Sequence, residues 1–101
     1  MDEKIKILVV EDNGFVRMQI ASFLKDDGYE VVEAEDGDQA LSRLSDDIHM
    51  AIVDVRMEPM GGFEFITLMQ EDGYHIPVII VTGDQSHDLL SKAGQHDVST
   101  V

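Results

Sequence analysis

The chain has 101 residues, 44% of them hydrophobic, and its 21 acidic and 7 basic side chains give a formal net charge of −14. This length suits one domain with a modest core, residues 1–101, and the negative charge disfavours direct binding of nucleic acid or of an anionic membrane. The sequence has no Cys, which excludes disulfides and thiolate metal sites, and it has no apolar run long enough to span a bilayer, so we expect a cytoplasmic domain.

Apolar segments that suit β-strands recur along the chain. Three of them are apolar at nearly every position, as strands covered on both faces must be. Every predicted strand is followed by a segment with helical spacing. This alternation predicts a parallel α/β sheet with crossovers of one hand. Two acids at the end of the second strand, Glu33 and Glu35, are interpreted as solvated turn residues. The predicted strands cover residues 5–10, 29–34, 50–55 and 77–82, with a partial fifth strand in "DVSTV".

The intervening segments have apolar residues spaced three and four apart, which predicts helices. The first helix is predicted to begin after an N-cap at Asn13 and to stop at Gly28. Its buried stripe is predicted to include Ile20, Phe23 and Leu24. The other predicted helices cover residues 36–44, 62–71 and 85–93.

Polar residues end three of the predicted strands. Glu11 and Asp12 follow the first strand, Asp54 lies at the end of the third, and Thr82 ends the fourth. An Asp after a strand commonly caps a helix or forms a turn, but Asp54 has apolar neighbours on both sides, where an unpaired charge is costly. Because functional groups of parallel sheets gather at the carboxyl ends of the strands, we expect these four side chains to meet.

Carboxylates that converge on one pocket repel each other by about 1 kcal/mol per pair in water and by several times more in a desolvated cleft. A hard divalent cation removes this penalty. Mg²⁺ suits such a site because it binds carboxylate oxygens, keeps several waters and accepts phosphate oxygens. One carboxylate can then act as a nucleophile toward phosphorus, and the Thr82 hydroxyl can donate to the bound phosphoryl group.

The segments "ILVVEDN", "IVDVRM", "MGGFEF" and "PVIIVTG" occur in this order along the chain. Together they resemble the receiver domain of two-component response regulators, over essentially the whole chain. The resemblance implies a flavodoxin-like, doubly wound parallel sheet with strand order 2-1-3-4-5. It also implies a phosphoacceptor switch that takes a phosphoryl group from a partner phosphohistidine, dephosphorylates itself and thereby alters partner binding, without being an enzyme in the usual sense.

The resemblance assigns roles to individual residues. Asp54 would be the phosphoacceptor. Asp12 and Asp54 would bind Mg²⁺ directly, Glu11 would bind it through a water, and Arg56 would bind it through its backbone carbonyl. Thr82 would be the switch hydroxyl that moves toward the phosphoryl group.

Three residues would form the rim of the pocket. The small Gly83 beside Thr82 would leave access to phosphorus. Arg56 and Asp84 lie two residues after Asp54 and Thr82, and we hypothesise that they pair and shield the phosphoryl group from water. Two separate solvated side chains explain the sequence equally well.

The first helix also carries apolar residues outside its predicted buried stripe. Phe15 and Met18 lie close in sequence to the acidic pair. Exposed apolar side chains at this place suit the docking of a helix from a histidine kinase or a histidine phosphotransfer protein. We therefore predict a partner surface at these two residues.

The sequence departs from the family pattern near its end. The family's phosphate-binding lysine would fall at or beyond Val101, where the sequence has no lysine, and the last helix of the fold is missing. This helix covers the same sheet face as the first helix, so its loss would expose apolar area. We expect that the sequence is part of a longer protein; if it is complete, we expect a destabilised domain, or one that borrows a covering element from a second copy of the chain as a homodimer.

Two other functions stay open. A pseudo-receiver that binds partners without being phosphorylated would fit the missing lysine. A phosphatase with an aspartyl nucleophile would normally need a second Asp two residues after Asp54, and that position holds Arg56.

Overall fold

The computed structural model describes residues 4–55 and 60–81 and the backbone of residues 99–100. Its strands form one five-stranded sheet in the order β2-β1-β3-β4-β5, and every pair of neighbouring strands is parallel. The predicted flavodoxin-like order is therefore confirmed. The predicted helix over residues 85–93 lies outside the described residues. The elements in chain order are β1 (Lys6–Val10), α1 (Gly14–Asp26), β2 (Glu30–Ala34), α2 (Gly37–Ser42), β3 (Met50–Asp54), α3 (Gly62–Glu71), β4 (Val78–Val81) and β5 (Ser99–Thr100).

The central strand β1 lies between β2 and β3. Val10 is in register with Ala34 of β2 and with Val53 of β3. Both faces of β1 are covered, and Leu8 and Val9 are completely buried, which explains why the strand is apolar at consecutive positions rather than at alternate ones. The ends of β1 and β3 are thereby held side by side.

The main core lies between the sheet and α2 and α3. Phe65, Ile66 and Met69 of α3 are completely buried and pack with Leu8 and Val53 of the sheet. Completely burying a side chain of this size stabilises the fold by about 1.5–3 kcal/mol. Within the described ranges, none of the helices combines the length and the apolar character needed to cross a bilayer.

Helix α1 begins where the sequence predicts. The Asn13 side chain caps it, because its Oδ1 accepts hydrogen bonds from the backbone N–H groups of Phe15 and Val16 at 3.0 and 3.1 Å. At the other end, Gly28 has a φ of 93°, a left-handed conformation that glycine adopts without steric cost and that stops the helix.

The predicted position of Phe23 in the buried stripe of α1 is wrong, since this side chain is 72% exposed. Ile20 and Leu24 of the predicted stripe are partly buried. The inward side of the helix also includes Ala21, which is buried, and Arg17, whose side chain is only 17% exposed. Residues of the helix also line an apolar surface groove beside β3. The groove is lined by Gln19, Ile20, Phe23, Leu24 and Ile52.

Polar contacts connect two segments at the amino-terminal ends of the strands. The Lys6 backbone N–H donates to His49 Nδ1 at 3.0 Å, and the His49 N–H donates to the Lys6 carbonyl oxygen at 2.9 Å. The Lys6 ammonium also lies 2.5 Å from Asp47 Oδ2. These contacts join the start of β1 to the loop that leads into β3.

Candidate functional site

Three acids meet at the carboxyl edge of the sheet. Glu11 and Asp12 directly follow β1, and Asp54 is the last residue of β3. Each offers one carboxylate oxygen, and these oxygens all lie within 4.8 Å of one another. Because β1 pairs with β2 on one side and β3 on the other, the acids lie where the strand order reverses, the usual place for a binding site in such sheets.

The acids differ in their exposure. Glu11 is buried, Asp54 is partly buried and Asp12 is exposed. Burial, followed by hydrogen bonding to Asp54, raises the pKa of Glu11 to about 8, whereas the hydrogen bond from the Asn13 backbone N–H opposes the shift. A pKa of about 8 favours the protonated form of the Glu11 carboxyl group at neutral pH when no cation is bound.

The first residue of α3, Gly62, lies very close to the end of β3. The Gly62 N–H donates to the Val55 carbonyl oxygen at 3.3 Å. A Cβ atom on Gly62 would lie only 2.6 Å from the Asp54 carbonyl oxygen and 2.8 Å from Val55 Cα. The absence of a side chain at Gly62 thus lets α3 begin against the backbone that carries Asp54.

Arg17 is a residue of this site that the sequence analysis missed. Its Nη1 donates to the backbone carbonyl oxygen of Glu11 at 2.9 Å. Its Nε lies 3.4 Å from Glu33 Oε1, and its Nη2 lies 3.9 Å from Glu35 Oε1. The interpretation of Glu33 as a solvated turn residue is therefore wrong, because it lies within β2, is only partly exposed and forms an ion pair with Arg17. Glu35 is exposed in the bend after β2, as predicted, and also forms an ion pair with Arg17. Arg17 was not predicted from the sequence, because a hydropathy pattern does not show whether an arginine on a helix turns toward the sheet or toward solvent.

Other predicted site residues fall in two groups. Phe15 and Met18 are 65% and 58% exposed, so their predicted exposure on α1 is confirmed. The remaining residues lie outside the described part of the chain. They are Arg56, Thr82, Gly83 and Asp84.

The donor set of the cluster fits a magnesium ion. All three side chains offer carboxylate oxygens, the ligands that hard divalent cations prefer, and their separation allows one ion to contact them directly or through water. A bound cation would also offset the cost of burying the Glu11 carboxylate, the main cause of its raised pKa, and the repulsion among the carboxylates.

Several known proteins are similar to this chain in sequence. The chain is 38% identical over 99 residues to the CAI-1 autoinducer sensor kinase/phosphatase CqsS of Vibrio cholerae, a match that covers 91% of this chain and 14% of CqsS. It is 35% identical over 85 residues to the response regulator RR06 of Streptococcus pneumoniae, covering 81% of this chain and 39% of RR06. With the chemotaxis protein CheY of Pseudomonas aeruginosa it shares 32% identity over 99 residues, covering 94% of this chain and 80% of CheY. The chain thus spans well under half the length of CqsS and of RR06.

Solved structures give the same result. The chemotaxis protein CheY4 of Vibrio cholerae matches with a TM-score of 0.88 and 29% identity, over 97% of this chain and 84% of that chain. The response regulator TrrA of Thermotoga maritima, solved in complex with Mg²⁺-BeF, matches with a TM-score of 0.83 and 26% identity, over 96% of this chain and 85% of that chain.

The family match extends over almost the whole sequence. The family described as "Response regulator receiver domain" matches residues 7–101, a range that contains every strand and helix described above except the first residue of β1. The chain therefore belongs to the response regulator receiver domains, the signalling modules of two-component systems.

Proposed function

We propose that this chain is a phosphoacceptor switch in which Asp54 takes a phosphoryl group from a partner phosphohistidine with the assistance of Mg²⁺. The observation that carries this proposal is the meeting of Glu11, Asp12 and Asp54 within 4.8 Å at the carboxyl edge of the sheet. Such a cluster places a nucleophilic carboxylate beside a cation site.

Glu11, Asp12 and Asp54 would hold the ion, with the backbone carbonyl of Arg56 as a further ligand. Asp12 and Asp54 are proposed to bind directly and the more buried Glu11 through a water. When bound, Mg²⁺ neutralises negative charge on the transferring phosphoryl group. The Mg²⁺-BeF complex of the relative TrrA supports this assignment.

Asp54 would act as the nucleophile. A carboxylate oxygen of Asp54 attacks phosphorus and forms an O–P bond, while the P–N bond to the donor imidazole breaks and its electron pair stays on the imidazole nitrogen, which takes up a proton. Attack of water on the acyl phosphate later returns Asp54 and inorganic phosphate. The Thr82 hydroxyl is proposed to donate to the phosphoryl oxygens, Gly83 to leave access to phosphorus, and Arg56 and Asp84 to form the rim.

The donor would be a histidine kinase or a histidine phosphotransfer protein. The exposed side chains of Phe15 and Met18 lie on the first two turns of α1, a helix that begins two residues after Asp12, and would contact a helix of the donor. The sensor kinase/phosphatase CqsS, part of which resembles this chain, supports a partner of this class. A cytoplasmic location, a homodimer and the absence of direct nucleic-acid binding belong to the same proposal.

Phosphorylation can be tested directly. The chain is incubated with Mg²⁺ and acetyl phosphate, a small phosphodonor, and its mass is measured. We expect a gain of one phosphoryl group in the presence of Mg²⁺ and none in the presence of a chelator. Asp54→Asn should show no gain, whereas the control Asp38→Asn, at an exposed position in the first turn of α2, should behave as the unmodified chain does.

Two outcomes would contradict the proposal. If the unmodified chain gains no phosphoryl group although it is folded and Mg²⁺ is present, it is a pseudo-receiver that binds partners without phosphorylation. If Asp54→Asn is phosphorylated as readily as the unmodified chain, the acceptor is another residue.

A further inference from the structure

Arg17 makes an unusual set of contacts for a residue on the second turn of a surface helix. Its side chain is only 17% exposed. Its three guanidinium nitrogens lie near three different oxygens: Nη1 donates to the Glu11 carbonyl oxygen at 2.9 Å, Nε lies 3.4 Å from Glu33 Oε1, and Nη2 lies 3.9 Å from Glu35 Oε1. The rigid guanidinium fork can engage several acceptors at once in a way that an ammonium group cannot.

The contact with Glu11 acts on the backbone rather than on the side chain. The Glu11 carbonyl belongs to the peptide group between Glu11 and Asp12, which is planar. A hydrogen bond to this oxygen restricts rotation of the peptide plane, and that rotation sets ψ of Glu11 and φ of Asp12. The direction of the Asp12 side chain relative to that of Glu11 therefore depends on the Arg17 bond.

The surrounding backbone bonds make this restriction effective. The Glu11 N–H donates to the Ala34 carbonyl oxygen at 3.1 Å, so the preceding peptide group is already fixed to β2. The Arg17 N–H donates to the Asn13 carbonyl oxygen at 2.9 Å, which places the base of the Arg17 side chain. The peptide group between Glu11 and Asp12 lies between these two anchors, and Arg17 holds its oxygen.

We propose that Arg17 is a positioning residue for the magnesium site: its guanidinium, oriented by Glu33 and Glu35, fixes the peptide plane from which the carboxylates of Glu11 and Asp12 project. This inference rests on the proposed function, since it concerns the same acidic cluster. Arg17 itself contacts neither the ion nor the phosphoryl group in this role.

Charge and position have opposite effects on Mg²⁺ affinity at this residue. Arg17 carries a positive charge close to a cation site, so its removal by electrostatics alone would tighten Mg²⁺ binding. Loss of the hydrogen bond to the Glu11 carbonyl would instead let the carboxylates take other directions and would weaken binding. Mutation of a group that orients a metal ligand without binding the metal itself commonly lowers metal affinity by roughly 10-fold to 100-fold.

The test measures Mg²⁺ affinity by isothermal titration calorimetry for the unmodified chain, Arg17→Ala and Arg17→Lys. We expect roughly 10-fold weaker binding for Arg17→Ala. Arg17→Lys keeps the charge but cannot reproduce the fork, so it should also bind Mg²⁺ more weakly than the unmodified chain. A second readout, on the metal-free chain, is the residual dipolar coupling of the Asp12 amide, which should change in both variants because this N–H lies in the same peptide plane.

Two control variants separate this role from general effects on the fold. Arg43→Ala removes another guanidinium that donates to a backbone carbonyl, that of Glu33, but it leaves the Glu11–Asp12 turn alone. Ala21→Gly weakens α1 at a buried position without touching the turn. Both folded controls should bind Mg²⁺ as the unmodified chain does.

The proposal is wrong if Arg17→Ala binds Mg²⁺ as tightly as the unmodified chain or more tightly, or if Arg17→Lys is unchanged in both affinity and amide coupling. If Arg17→Ala does not fold, the Mg²⁺ affinity and the amide coupling of Arg17→Lys test the proposal. A failure of the unmodified chain to bind Mg²⁺ would contradict the proposed function instead, and the amide coupling would still report whether Arg17 fixes the peptide plane.

Discussion

Gly62 lies against the backbone of Asp54 so closely that a Cβ atom on Gly62 would be 2.6 Å from the Asp54 carbonyl oxygen. The neighbouring atoms are backbone or buried, so they cannot move aside as the end of a flexible side chain would. We expect Gly62→Ala to lower the free energy of unfolding by about 1–3 kcal/mol, the usual cost of overpacking. Urea unfolding followed by circular dichroism measures this change.

Gly14→Ala is the matched control for that substitution. The only nearby atom for a Cβ on Gly14 is Arg17 Nη2 at 3.6 Å, an ordinary contact, and Ala is favoured over Gly in a helix by up to about 1 kcal/mol. We expect Gly14→Ala to leave stability unchanged or slightly higher. Equal effects of the two substitutions would show that the close approach at Gly62 does not constrain the fold.

The protonation of Glu11 predicts how stability depends on pH. Its pKa in the folded chain is about 8, above the ordinary value of 4.5, so between these values the folded chain holds a proton that the unfolded chain has lost. The contribution of Glu11 to the free energy of unfolding therefore falls as pH rises from about 4.5 to about 8. Urea unfolding of the metal-free chain across this range, with a chelator present, should show this fall.

The variant Glu11→Gln isolates the contribution of this carboxyl group, since Gln does not titrate. The decline over this pH range should be smaller in Glu11→Gln than in the unmodified chain, whereas Glu64→Gln, at an exposed position on α3, should retain it. A pH profile of Glu11→Gln identical to that of the unmodified chain would mean that Glu11 is ionised in the folded protein throughout.

Asp12 is expected to lower the free energy of unfolding of the metal-free chain and, at the same time, to support Mg²⁺ binding. Its carboxylate lies in a cluster of like charges, so Asp12→Asn should raise the stability of the metal-free chain by up to about 1 kcal/mol. Mg²⁺ should stabilise the unmodified chain, by about 2.7 kcal/mol at 100 times its dissociation constant. This increment should be largely lost in Asp12→Asn, because a proposed ligand of the ion has been removed. Thermal unfolding with and without Mg²⁺ measures both effects.

Asp38→Asn serves as the comparison for this experiment, because Asp38 is an exposed acid on another helix. Its Mg²⁺ increment should equal that of the unmodified chain. Should Asp12→Asn retain the full increment, Asp12 would not be a ligand of the ion.

The predicted partner surface at Phe15 and Met18 can be tested through the rate of phosphoryl transfer. Replacing Phe15 and Met18 with Ser should slow phosphoryl transfer from a histidine phosphotransfer protein by roughly 10-fold or more, the effect expected for losing residues at the centre of an interface. The rate with acetyl phosphate should not change, because a small donor needs no protein surface. Mass measurements over time give both rates.

Phe23→Ser provides the comparison on the same helix. Phe23 is as exposed as Phe15 but lies further along α1 from the acidic cluster, so its replacement should affect transfer from the protein donor less. If Phe23→Ser slows transfer as much as the double replacement does, the surface lies elsewhere on α1.

The sequence predicted those features that depend on local patterns. The bounds of α3, Gly62–Glu71, agree with the prediction, and the N-cap at Asn13 follows from its short polar side chain. The parallel order of the strands follows from their alternation with helices, and this order brings Glu11 and Asp54 together.

The features that the sequence did not predict arise from contacts between distant segments. Arg17 turns inward because Glu33 and the Glu11 carbonyl are within its reach, and this orientation leaves Phe23 exposed although its spacing fits the stripe. His49 accepts from the backbone of Lys6, 43 residues away. Neither hydropathy nor spacing carries such information, because a charged side chain has the same local pattern whether it faces water or a buried partner.

The pairing of β1 with β3 has a consequence for the order in which the molecule assembles. Glu11 and Asp12 follow β1 and Asp54 ends β3, and the chain between these strands contains α1, β2 and α2. Because closing a long segment slows folding, we expect β1 and β3 to pair late, so that the proposed cation site forms only when the transition state has been passed or nearly reached. We therefore expect Mg²⁺ to act mainly by slowing unfolding, with little acceleration of refolding, when the two rates are measured separately by stopped flow.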